Sequence, residues 1–119
     1  MPIIQSDTLR TLEVFENKIS SINEGSFLPK LDILNLDDNI ISNSGIDQFA
    51  FDGIGNLRSI MLNKNKLTQF PVGLPVSIET LHLNENQINE IEVDAVDSLN
   101  QLLTLQLQKN QLNDQVRDT

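Results

Sequence analysis

The chain has 119 residues and carries 17 Asp and Glu against 8 Lys and Arg, a formal net charge of −9. That balance argues against a nucleic-acid or anionic-membrane surface, since both require clustered cations; Arg58, Lys64 and Lys66 form the only local concentration along the sequence. Cysteine is absent, which removes disulfides and thiolate metal sites, and no apolar run approaches the roughly 18 residues that a membrane-spanning helix needs.

Residues 1–8 read as a lead-in. Met1-Pro2-Ile3-Ile4 gives way at once to Gln5, Ser6 and Asp7, so the segment offers no apolar core of a signal peptide. At Leu9 a pattern of apolar residues begins, with positions Leu9, Leu12, Val14, Asn17 and Ile19. It returns as Leu31, Leu34, Leu36, Asn39 and Ile41, then as Leu57, Ile60, Leu62, Asn65 and Leu67. The fourth copy is Ile78, Leu81, Leu83, Asn86 and Ile88, and the fifth is Leu102, Leu105, Leu107, Asn110 and Leu112. The stretches between copies repeat more loosely. Ile22 and Phe27 follow the first, Ile46, Phe51 and Ile54 the second, and Ile91, Val96 and Leu99 the fourth. After the third come Phe70, Pro71, Leu74 and Pro75, where the prolines exclude a helix. Residues 114–119 are a polar tail.

Five fits in register to Leu-x-x-Leu-x-Leu-x-x-Asn-x-Leu identify residues 9–113 as five leucine-rich repeats, starting at 9, 31, 57, 78 and 102. The physical reading supports the pattern. A Leu-x-Leu pair alternates with period two, so both side chains point to one face of a short strand. Strands of successive coils then pair in parallel. The expected architecture is an α/β solenoid: a right-handed horseshoe with a curved parallel sheet on the concave face and short strands and turns on the convex side. A buried Asn at each turn requires hydrogen bonds for its amide, and Asn17, Asn39, Asn65, Asn86 and Asn110 are expected to form a structural ladder.

The intervening x positions fall on the concave, solvent-facing side. One row reads Glu13, Asn35, Met61, His82 and Gln106, and the next Phe15, Asp37, Asn63, Asn84 and Gln108. A third, at the turn, holds Glu16, Asp38, Lys64, Glu85 and Lys109. Such a surface suits an extended, wet protein interface better than a closed small-molecule pocket, so the first two rows are the expected partner-binding residues, with Phe15, Met61 and His82 as the candidate anchors. His82, the single histidine, reads as an ordinary surface residue, because no second His and no Cys exists to complete a metal site. Asp37-Asp38 and the group Glu90, Glu92, Asp94 and Asp97 lack the spacing of a calcium loop. No phosphate loop, dinucleotide fingerprint or nucleophile elbow is present. Neither cofactor, metal nor catalysis is expected.

Repeat starts are separated by 22, 26, 21 and 24 residues (9 to 31, 31 to 57, 57 to 78, 78 to 102). This uneven rhythm, with Ser44-Gly45-Ile46, Ala50-Phe51-Asp52-Gly53, Phe70-Pro71-Val72-Gly73-Leu74-Pro75 and Glu79-Thr80-Leu81-His82-Leu83, resembles the central repeats of the small leucine-rich proteoglycans. The resemblance implies a secreted matrix module that binds a matrix protein such as collagen, or a growth factor. The chain departs from that family in lacking its flanking cysteines, and the slots of a charged pair known from collagen-binding members hold Met61 and Lys64. Ser44-Gly45 reads as a turn, not a sugar attachment site. These departures make the chain read as an internal piece of such an array, with uncapped ends open to self-association. An intracellular repeat adaptor is the competing expectation, because the sequence has neither cysteine nor an Asn-x-Ser/Thr acceptor.

Overall fold

The structure, a computed structural model, describes residues 5–23 and 28–112. Phe27, the first four residues of the lead-in and the polar tail lie outside the described residues. Five strands of three residues each form one sheet: β1 (Thr11–Glu13), β2 (Ile33–Asn35), β3 (Ser59–Met61), β4 (Thr80–His82) and β5 (Thr104–Gln106). They lie side by side in chain order, all parallel. Register follows the repeat: Leu12, Leu34, Ile60, Leu81 and Leu105 stand opposite one another at the strand centres and point into the core.

Backbone pairing continues past each strand. Val14, Leu36, Leu62 and Leu83 donate their N–H to the next coil at 2.8–2.9 Å, and so do Glu16, Asp38, Lys64 and Glu85 at 2.8–3.1 Å. The chain turns at this second position, where Glu16, Asp38, Lys64, Glu85 and Lys109 all adopt φ of 55–58°. Five non-glycine residues in the left-handed region at one repeat position make this a requirement of the coil. The position accepts the strain because it re-aims the chain toward the buried Asn that follows.

Leu31, Leu34, Leu36, Leu57, Ile60, Leu62, Ile78, Leu81 and Leu83 are fully buried. The equivalent residues of the first and last coils, among them Leu12, Val14, Leu105 and Leu107, are only partly buried. Among the described residues each of these coils has a single neighbour, and burial in a stacked repeat comes from both sides.

On the convex side the chain returns through a 3-10 turn (Asn43–Gly45), one five-residue helix α1 (Val93–Asp97) and isolated parallel bridges, Ile22 with Ile46 and Gln69 with Glu90. Among the described residues the α-helical part of the expected α/β architecture is thus confined to one coil. Residues 68–77, with Pro71 and Pro75, contain no helix. The Ser44-Gly45 turn is a packing device: a Cβ on Gly45 would overlap the carbonyl oxygen of Ser20 in the preceding coil. Its carbonyl accepts the Ile22 N–H at 2.8 Å. A second clamp joins coils two and three. Asn43 Oδ1 accepts from the backbone of Thr68 and Gln69 (2.8 and 3.1 Å), while its Nδ2 donates to the Gln69 carbonyl at 3.0 Å.

Candidate protein-binding face

Beneath the concave face, the repeated Asn fastens each coil to the one before. Asn39, Asn65, Asn86 and Asn110 donate from Nδ2 to the carbonyls of Val14, Leu36, Leu62 and Leu83 at 2.8–3.0 Å. Their Oδ1 atoms accept the N–H of Ile19, Ile41, Leu67 and Ile88 at 3.0–3.1 Å. Asn39, Asn65 and Asn86 are 3–6 % exposed, and among the described residues no buried side-chain polar atom lacks a partner. Asn17 differs from the buried ladder member expected of it. It is exposed, and its amide donates to the Val14 and Phe15 carbonyls of its own coil, with no coil before it among the described residues to fasten.

Glu13, Asn35, Met61, His82 and Gln106 occupy one register position across the five strands. Alternation puts them opposite the buried strand centres, on the outer face of the sheet. His82 is half-buried between Met61 and Gln106. Among the described residues no group of three or more His, Cys, Asp or Glu is placed to hold a metal ion.

The second row has a role that the repeat pattern does not reveal. Asp37 Oδ1 accepts the N–H of Asn63, Asn63 Oδ1 that of Asn84, and Asn84 Oδ1 that of Gln108, at 2.7–2.8 Å. Asn84 Nδ2 also donates to Gln106 Oε1 at 2.9 Å. The Asn63 and Asn84 N–H groups lie between two backbone donors that pair with the next coil, so a short side-chain oxygen completes the ladder where the turning backbone cannot. Asp37, Asn63 and Asn84 therefore act within the fold as well as lining its face. Phe15 has no acceptor to offer; the Asp37 N–H bonds Asn35 Oδ1 instead, at 3.0 Å. The Phe15 ring is left 44 % exposed at the end of the row.

Two rows escaped the sequence reading. Thr11, Ile33, Ser59, Thr80 and Thr104 share the outer face with the Glu13 row. One residue earlier stand Arg10, Asp32, Arg58 and Glu79, whose alternating sign at one repeat position was a legible signal. Arg58 donates to both carboxylate oxygens of Asp32 at 2.7 Å. Those hydrogen bonds hold the Asp32 pKa below its ordinary value, outweighing the opposing effect of desolvation and joined by the charges of Arg58 and Arg10. The cations are also regrouped. Arg58 lines a cleft of about 440 Å³ with Arg10 and Lys30 where the strands begin, whereas Lys64 lines another at the opposite rim. Nearness in sequence misled here because the strand between Arg58 and Lys64 separates them across the sheet.

The fold defines the class: the chain is a leucine-rich-repeat solenoid. Its resemblance to the small leucine-rich proteoglycans of the extracellular matrix extends over nearly its whole length. It is 32 % identical to decorin of Bos taurus over 95 % of the chain, and 31 % identical to decorin of Homo sapiens over the same share. Podocan of Mus musculus is 35 % identical over 87 % of the chain. The chain spans 32 % of the length of these decorins and 17 % of podocan. Among solved structures it is similar to a leucine-rich-repeat chain in an octameric complex of Latrophilin 3, Unc5D and FLRT2. That match has a TM-score of 0.82 and 39 % identity over 87 % of this chain and 32 % of the other. No protein-family model matches the chain.

Proposed function

We propose that this chain is a non-catalytic protein-binding module of extracellular-matrix type, docking a matrix protein such as collagen, or a secreted growth factor, on its concave face. The observation that carries the reading is the outer face of the sheet, where Glu13, Asn35, Met61, His82 and Gln106 stand in one register and are exposed or half-buried. A strip of five parallel strands offers repeated polar side chains to an extended partner, and the hollows described along its rims are open ones, unlike the enclosed pocket that holds a small substrate. Kinship with decorin and podocan supports the matrix setting.

The test is binding to immobilised fibrillar collagen and to a panel of matrix growth factors, with a Phe15→Ser, Met61→Ser, His82→Ser triple variant alongside. These three side chains are exposed or half-buried, so the variant should keep its circular dichroism spectrum and lose at least tenfold in affinity. Equal binding by variant and parent would remove the concave face from the interface. Stable capture of partners from cytosol alone, with none from matrix extract, would favour the intracellular adaptor.

A further inference from the structure

Charge is distributed unevenly across the concave face. At the rim where the strands end, Phe15 shares a trough of about 490 Å³ with Glu13, Glu16, Asp37, Asp38 and Glu85, and Lys64 is the one cation lining it. At the rim where the strands begin, the cleft around Arg58 gathers three cations against Asp32 and Glu79. Among the described residues, none of the trough's five carboxylates is ion-paired, although Lys64 lies in the same hollow. An open sheet face with unpaired carboxylates on one side and an uncommitted aromatic ring among them complements a cation. The carboxylates supply long-range attraction, and the face of a phenylalanine ring supplies a short-range site for an ammonium or guanidinium group.

We propose that this rim receives Lys or Arg side chains of an extended protein segment, with Phe15 as the ring on which one of them rests. The inference rests on the concave protein-binding reading and names the partner chemistry at one rim of it. Phe15 is suited to the role by the same fact that sets it apart in its row. Asp37, Asn63 and Asn84 are occupied in bonding the next coil, whereas the Phe15 ring has no such duty.

The probe is a fluorescein-labelled, end-blocked peptide of alternating Lys and Ser, compared with its Glu and Ser counterpart by fluorescence anisotropy at low salt. Glu16→Lys with Asp38→Lys is the informative variant. Both positions have positive φ, and the same repeat position already holds Lys64 and Lys109, so lysine fits the backbone. Asp94→Lys with Asp97→Lys on α1 makes the same change in net charge on the convex side. The Lys peptide should lose at least tenfold in affinity on the rim variant and less than twofold on the convex one. Phe15→Leu should cost threefold or more, and the Glu peptide should not bind. Equal losses on the two charge variants would reduce the binding to net charge and overturn the proposal. So would an unchanged affinity in Phe15→Leu, or the absence of Lys-peptide binding. If collagen or growth-factor binding is abolished by the concave triple variant but unaffected by Glu16→Lys with Asp38→Lys, the protein-binding face stands and the cation rim falls.

Discussion

Replacing Asn65 with alanine removes three hydrogen bonds of unequal worth. Nδ2 donates to the carbonyls of Leu36 and Asn63, but both oxygens have another donor, Asn39 Nδ2 for the first and the Asp38 N–H for the second. Oδ1 accepts the Ile41 N–H at 3.0 Å in a buried setting, and that donor has no replacement. An orphaned buried N–H costs about 1–3 kcal/mol, and the weakened acceptors with a small cavity add about 1 kcal/mol more, so Asn65→Ala should destabilise by roughly 2–4 kcal/mol. Asn17→Ala is the internal control. That side chain is exposed, bonds only its own coil, and Val14 keeps Asn39 as a donor, so its loss should cost roughly 0.5 kcal/mol. Urea unfolding followed by far-ultraviolet circular dichroism, with both variants at matched concentration, measures the difference. Equal destabilisation by the two would refute the assignment of the stabilisation to inter-coil fastening. The Asn positions would then matter only for forming their own turns.

Two further outcomes follow from other contacts. Gly45→Ala forces a Cβ against the Ser20 carbonyl and should destabilise by about 1–3 kcal/mol, with hydrogen exchange of the Ile22 amide accelerating before that of the Leu81 amide; uniform acceleration would contradict a local splaying of the first two coils. Because Arg58 holds the Asp32 pKa below 3.8, the stability from this pair is fully present above that pH and is lost as pH falls through the depressed folded value; in Arg58→Gln, nuclear magnetic resonance should find the Asp32 carboxyl titrating closer to 3.8, and an unchanged titration would show that the pair does not set it.

The amino-acid sequence by itself determined the five coils, their register and their buried face. Leu34 and Leu36, like Ile60 and Leu62, alternate with the period of a strand, and a polar Asn beside them makes sense only where buried backbone needs partners. Each of these signals is local and repeated, so it survives without coordinates. The coarse position of the concave rows was legible for the same reason, since side chains of a strand alternate in direction. Tertiary structure alone decided what depends on the neighbouring coil. It left Asn17 exposed while burying Asn65, because burial is conferred by stacking and among the described residues no coil stands before Asn17. It turned Asp37, Asn63 and Asn84 into ladder residues, because the N–H groups they satisfy belong to chain 21–26 residues further on. And it drew Arg10, Lys30 and Arg58 to one rim and Lys64 to the other, since distance across a solenoid is set by the repeat and not by separation along the chain.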